Sequence, residues 1–448
     1  MTQLAAPYRN TKMINAWCMY DWANSVYNLV ITTTFFPIYF AGITKSAFGE
    51  NAVPLFGRTF KNTALYDYTL AVAYLVVALT LPVLSSIADS RGNKKRFMQF
   101  FTYLGGFSCM GLFWFKTPEV SVLWGVTCFL LAVIGYVGSL VFYNSYLPEI
   151  AEPQDRDWAS ARGYSMGYAG SVLLQLIGFG LVVYFSGMGD QTSGPRYTFL
   201  LVGLWWIGFA QITFAYLPQG KPKPKPLREV LIAGFVELNK VLHQVRQLRL
   251  LKWYLVAFFF YSMGVQTVML AATLFGSQML GLPTDKLIIT VVLIQLVAIL
   301  GAMLMAYLSG KLGNITVLMG VVLFWIAVCL FAYYVVILRE QGVSVEYHFY
   351  GLAVAVGLVM GGIQSLSRST YSKLMPKTRD TASFFSFYDV TEKIAIVIGI
   401  FSFGYIDELF GMKNSVLILI VFFVIGFIGL TLTKWVERST ASTNTEGV

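Results

Sequence analysis

LIITVVLIQLVAILGAMLMAYL (287–308) runs for 22 residues without one charged side chain. A bilayer core of about 30 Å takes roughly 20 apolar residues in a helix, so this run is long enough to cross it. Lipid offers peptide groups no hydrogen-bond partner, so the run must close its own bonds as a helix. Reading outward from it, eleven comparable runs complete a set of twelve. They occupy approximately 17–43, 64–87, 97–115, 120–146, 163–185 and 197–217 in the first half, and 253–277, 315–338, 347–371, 384–405 and 415–435 beside the quoted one in the second. The composition agrees. Hydrophobic residues make up 57% and charged residues 12% of 448 positions, where a soluble chain carries roughly 25% charged. Mean hydropathy is +0.66, and the 36 Phe, 26 Tyr and 10 Trp suit interfacial aromatic belts. The expected fold is all-α and polytopic, with twelve transmembrane helices in two six-helix pseudo-repeats.

The formal charge of +10 points to nucleic acid only if it is spread over one soluble surface. With the N-terminus placed in the cytoplasm, the Lys and Arg residues divide into 22 on the inner face, 8 on the outer face and 2 within spans, completing the 32. That bias expects both termini inside, in the cytoplasmic membrane if the source is bacterial. Polar residues through Asn15 lead into a run too long for a signal-peptide core, so that run is expected to be the first span. Cys18, Cys109, Cys128 and Cys329 lie in apolar stretches without metal-binding spacing and read as small buried hydrophobes.

The chain divides into a first bundle (1–217), a connection (218–250), a second bundle (251–436) and a polar tail (437–448) expected to be disordered. The connection opens on KPKPKP (221–226), stiff and basic, and continues with Leu227, Val230, Leu231, Phe235, Leu238, Leu242 and Val245 on one helical face. An amphipathic helix on the membrane surface and a linker helix packed on the bundle both fit. The halves carry traces of a repeat. SSIADSRGN (85–93) answers to AYLSGKLGN (306–314), and RDWAS (156–160) to RDTAS (379–383), at offsets of 221 and 223 residues. Two such halves expect a path at their interface.

SSIADSRGNKKR (85–96) resembles the major facilitator signature between second and third spans, with Asp89, Arg91, Gly92, Lys94 and Lys95 in matching positions and Ser85 in place of the leading Gly. The resemblance implies that Asp89 faces the start of the eleventh helix and latches the outward-facing state. A carboxylate is favoured at a helix N-terminus. The second copy has Gly310 in the Asp position, so a one-sided latch is expected; a purely structural turn is the alternative. MYDWANSVYNLVITTTFFPIYF (19–40), FYNSYLPEIA (142–151), SARGYSMGYAGS (160–171) and IQSLSRSTYSKLMPKTRDTASFFSFYDVTEK (363–393) resemble the autophagy-related vacuole effluxer-like branch of that superfamily, over essentially the whole chain. Its fungal members are associated with amino-acid export from the vacuole, which implies an amino acid or short peptide as the solute here. The Gly run of the fifth span lacks the Pro of the antiporter signature, which argues against drug antiport.

Polar stripes within spans must face the bundle or a wet cavity. The first span offers Asp21, Asn24 or Ser25, Asn28 and Thr32; the fifth Tyr164, Tyr168, Ser171 and Gln175; the seventh Ser262, Gln266, Thr273 and Ser277. First, fourth, seventh and tenth helices line the cavity in the superfamily, so Asp21, Asn24, Asn28, Gln266, Gln364 and Arg368 are the candidate solute-binding residues, Arg368 for a carboxylate. Lone Ser and Thr more often bond their own backbone. Gly163, Gly167 and Gly170 form a face for close helix contact.

In the eleventh span Asp389, Glu392 and Lys393 lie within five residues. Each charge at the bilayer centre costs about 2.5–3.5 kcal/mol on insertion scales, so pairing is expected. Asp389 and Lys393 stand four apart, acid first, and Arg368 is the expected partner of Glu392. The group reads either as a static ion network or as a proton switch, with Glu392 the first candidate, Asp389 the second and Asp21 the third. No phosphate loop is present, and the two histidines, His243 in the connection and His348 at the very edge of the tenth span, make no catalytic constellation, so neither an ATP-driven pump nor an enzyme is expected. The reading is a monomeric carrier working by alternating access on a small organic solute, facilitative or proton-coupled, without cofactor or metal. An amphiphile or lysolipid carrier, and a sensor that binds without transporting, are the competing readings.

Overall fold

The computed structural model describes residues 11–49, 52–220, 236 and 239–445. Among them twelve long helices succeed one another: α1 (Thr11–Phe48), α2 (Asn62–Arg91), α3 (Lys94–Gly111), α4 (Pro118–Asn144), α5 (Arg156–Gly187), α6 (Ser193–Tyr216), α7 (Arg249–Leu274), α8 (Thr284–Leu312), α9 (Asn314–Glu340), α10 (Glu346–Leu374), α11 (Thr381–Phe410) and α12 (Met412–Thr445). Each matches one apolar run. Ten are long and apolar enough to cross a bilayer. The other two, α3 and α11, fall short on charge: every 18-residue stretch of either holds at least three charged residues. Both nevertheless pack as full members of their bundles, α3 on α4 and α6, and α11 on α2, α7 and α12.

Glycine sets the tight turns. Gly92 (φ +65°) ends α2 in the left-handed conformation, its amide bonding back to Ala88 and Asp89. Gly313 (φ +83°, ψ 145°) turns the chain between α8 and α9 with a positive φ and an extended ψ, its amide bonding back to Ser309. Between α1 and α2 a short hairpin, β1 (Val53–Leu55) and β2 (Arg58–Phe60), pairs Val53 with Phe60. Inside α1, residues Tyr27–Phe35 form a π-helix. Pro37 follows at the start of the next α-helical stretch and has no N–H to offer residue 33. Thr33 and Thr34 donate their hydroxyls to the carbonyls of Asn28 and Leu29, 2.6 and 2.8 Å away, filling acceptors across the wider turn.

Within the first half, α1 lies against α5 and α6; in the second, α7 lies against α11 and α12. The halves meet where α5 packs on α8 and α10, and α11 on α2 and α4. Rings fill the first half's core: Phe36 stacks on Phe129 (4.4 Å), Tyr66 on Phe129 (5.1 Å), and Phe199 meets Phe36 edge-on (5.9 Å).

Of the connection, residues 218–220, 236 and 239–250 are described; KPKPKP and most of the amphipathic pattern lie outside the described residues. In the described part Val241 and Val245 are buried one helical turn apart, so this stretch packs on the protein. The tail differs from expectation. Helix α12 continues through Thr445, because the polar sequence after Glu437 holds no Gly or Pro before Gly447 and Lys434 pairs with Glu437 at 2.8 Å along the helix.

Candidate functional site

Odd-numbered helices begin, and even-numbered ones end, at the face that carries both termini. Cross-half hydrogen bonds gather there. Helix α11 starts without a side-chain cap of its own. Asp89, at the end of α2, supplies one from the other half. Its carboxylate accepts from the amides of Ala382 (3.2 Å) and Ser383 (2.7 Å) and from the Ser383 hydroxyl (2.8 Å), where free N–H groups and the helix dipole favour an anion. Lys94 donates to Glu149 and to Thr381 Oγ1 (3.0 Å), bracing the same helix start, while Gly92 makes the turn that brings Lys94 round. Arg91 stands in the last turn of α2.

The second copy of this turn does not lack a carboxylate, as Gly310 had led us to expect. Asp157, at the start of α5, reaches across to it. It accepts from Ser309 Oγ (2.8 Å), Asn314 Nδ2 (2.7 Å) and Lys373 Nζ (2.6 Å). The acid has moved to the opposite member of the repeat, so a carboxylate joins the halves at both copies of the turn.

Deeper along the interface lies Arg368 of α10, 1% exposed. Its expected partner was Glu392; the structure gives it Asp21 of α1, with Nη2 to Oδ2 at 3.0 Å. Nε donates to Ser160 Oγ and Nη2 to the Ser160 carbonyl, both at 2.9 Å, and Nη1 to Asn144 Oδ1 at 3.3 Å. Tyr143 donates to the same Asp21 oxygen (2.8 Å). The rings of Tyr164 and Trp17 lie 4.3 and 4.8 Å from the guanidinium. Gly163 lies beside this pair, where any Cβ would collide with the Asp21 carboxylate. Asp21, Asn24 and Arg368 are all buried, and none of them is among the residues lining the cavity described next. The sequence missed Trp17, Asn144, Tyr143 and Ser160 as the shell of this pair, although all but Trp17 sit in the quoted family blocks.

Next to it, between the halves, is a cavity of about 720 Å³. Asn28, Tyr164, Tyr168, Gln266, Gln364, Glu392 and Lys393 contribute to its wall, with Tyr74 and Tyr136 as additions the sequence did not single out. Lys393 Nζ bonds Glu392 Oε2 (2.7 Å), and Gln266 Nε2 donates to Glu392 Oε1 (3.0 Å). Tyr168 donates to Gln364 Oε1 (2.8 Å), joining α5 to α10. Asp389 does not take Lys393 as the four-residue spacing suggested. It is 3% exposed, and its Oδ2 accepts no hydrogen bond among the described residues. The long lysine bends toward the cavity and its glutamate, which the shorter buried Asp389 cannot follow. Gln175 extends the polar seam, donating to Thr34 (2.8 Å) and accepting from Gln295 (3.0 Å).

Comparison with known proteins bears on this arrangement. The family described as "Vacuole effluxer Atg22 like" matches residues 9–159 and 152–444. The MFS-type transporter YxiO of Bacillus subtilis is 31% identical over 94% of each chain. Autophagy-related protein 22-1 of Penicillium rubens is 24% identical over 90% of this chain and 80% of its own. Among solved structures, a bacterial homologue of the iron transporter ferroportin in its outward-facing state has a TM-score of 0.68 at 12% identity, over 95% of this chain and 99% of its own. The proton:xylose symporter XylE also has a TM-score of 0.68, at 14% identity over 94% and 95%.

Proposed function

The chain belongs to the vacuole effluxer Atg22-like family of major facilitator transporters, and from that premise we propose that it carries a small zwitterionic solute, an amino acid or short peptide, by proton-coupled alternating access. The observation that supports this reading is the Glu392–Lys393 pair on the cavity wall, 2.7 Å apart. A zwitterion can exchange with such a pair, its ammonium taking Glu392 and its carboxylate Lys393, without leaving either buried charge bare. Gln266, Gln364, Asn28 and Tyr168 offer donors and acceptors for the rest of the solute. Protonation of Glu392 would free Lys393 and so tie the solute to the proton.

In this proposal residues 1–217 and 251–436 move as two bundles joined by 218–250, and one chain suffices. The termini face is closed here by Asp89, Asp157 and the Asp21–Arg368 pair. Opening it requires all three to part, and solute bound in the cavity shifts that balance only as far as it prefers one arrangement to the other.

Counterflow of labelled amino acids and dipeptides in proteoliposomes, with and without an imposed pH gradient, tests the proposal on wild type and Glu392→Gln. Wild type is expected to concentrate zwitterions with the gradient, and Glu392→Gln to retain exchange while losing that response. Unchanged gradient dependence in Glu392→Gln would remove the proton role. Competition by lysolipids but not zwitterions, or binding without counterflow, would remove the solute assignment.

A further inference from the structure

The two halves differ in one place that transport between them does not explain. Within the second bundle is a partly open cavity of about 700 Å³, counted out to its open side, whose wall is almost wholly apolar, drawn from all six of its helices. It includes Ala271 of α7 and Phe275 just beyond its end, Leu287 and Val291 of α8, Cys329 and Ala332 of α9, and Leu352 and Ala353 of α10. The one hydroxyl on the wall, Thr290, is already engaged with the Lys286 carbonyl at 2.8 Å.

The repeat says what stands here in the first half. At the offset of 221 residues Leu287 answers to Tyr66, and at 223 Leu352 answers to Phe129 and Ala353 to Leu130. Thr290 answers to Thr69, which bonds its own helix in the same way, to Leu65 at 2.7 Å. Tyr66 and Phe129 are two of the stacked rings that fill the first half's core. At these two positions the second half keeps the frame and puts leucine in place of the ring, while Phe275, Phe349 and Phe403 remain on the wall. An apolar cavity stays dry and takes apolar guests, and its lining forfeits dispersion contacts until something fills it. In a bilayer the apolar guest at high concentration is an acyl chain.

We propose that this cavity is a binding site for a single acyl chain, held in the second bundle where the first bundle holds its own aromatic rings. The chain can come from a free fatty acid or from a phospholipid. The site is separate from the polar cavity between the halves, from which it shares no wall residue, and does not depend on the solute proposed above.

The test uses the full-length protein purified in detergent and stripped of lipid, then offered oleic acid or phosphatidylglycerol and followed by native mass spectrometry and thermal melting. Two variants fill the cavity: Leu287→Tyr with Leu352→Phe, which rebuilds the first half's rings, and the milder Ala353→Leu. The expected result is a one-to-one adduct on wild type that raises its melting temperature by several degrees, with at least one filled variant folding, losing the adduct and melting higher than stripped wild type. An adduct with one probe only identifies the source and supports the site. Adducts retained equally by the filled variants would overturn it, since the lipid would then bind elsewhere. Filled variants that melt higher while wild type takes up neither probe would also overturn it, as an empty packing void.

Discussion

Arg368 brings a charge that cannot be neutralised into the closed interface, and its surroundings are built to its fork. Asp21, Asn144 and both oxygens of Ser160 take its donors in different directions, an arrangement a lysine ammonium cannot reproduce from one point. Removing one partner of a buried pair costs about 3–5 kcal/mol, more than removing both. Asp21→Leu is therefore expected to lower the denaturation midpoint of the detergent-solubilised protein strongly. Asp21→Asn, which still accepts from Tyr143 and Arg368, should do so less, and Asp21→Leu with Arg368→Met should recover part of the loss. A double variant no better than the sum of the single ones would mean the two residues do not act as a pair. The charges themselves were legible in the sequence, because ionisable side chains inside apolar runs are conspicuous. Their pairing was not. Asp21 and Arg368 stand 347 residues apart, and helical spacing speaks only to neighbours within a turn or so. The same blindness matched Lys393 to Asp389 when Glu392, facing the cavity beside it, was the partner.

Among the elements, α11 depends on another helix for its cap. Asp89 holds its first amides, and beside it the hydroxyls of Ser86 and Ser383 lie 3.2 Å apart. Cysteines at those two positions are close enough to bond in this state. Ser86→Cys with Ser383→Cys is expected to cross-link under mild oxidation and stop transport, with recovery on reduction, read by gel mobility and flux together. If transport persists in the fully cross-linked protein, the face closed here does not have to open. The offsets of 221 and 223 residues mark both turns, and with them the place of both carboxylate contacts between the halves. The second acid escaped notice because it was sought at the position of Gly310, whereas Asp157 enters from the facing helix. Sequence repeats report which segments correspond, and say nothing of which partner in a contact supplies the charge. The π-helical turn of α1 was equally hidden: Pro37 marks a disturbance but not its form.

At the scale of the molecule, apolar runs in the sequence mark all twelve helices; α3 and α11, which carry the most charge for their length, are the two that a strict limit on charged residues passes over. The sidedness of basic residues, 22 against 8, expects the termini face in the cytoplasm. All four native cysteines are buried, so an introduced one reports cleanly. In intact cells a membrane-impermeant maleimide should label Lys116→Cys and leave His243→Cys untouched until the membrane is permeabilised. The reverse pattern would invert the orientation.

The two latches differ in what they are made of. Asp89 rests largely on main-chain amides of α11, which substitution cannot remove, whereas Asp157 rests on the side chains of Ser309, Asn314 and Lys373. One clasp is thus fixed by the polypeptide itself and the other is adjustable residue by residue. If the two faces part during transport, variation at those three positions is expected to change how readily they do so while leaving the residues of the cavity between the halves untouched.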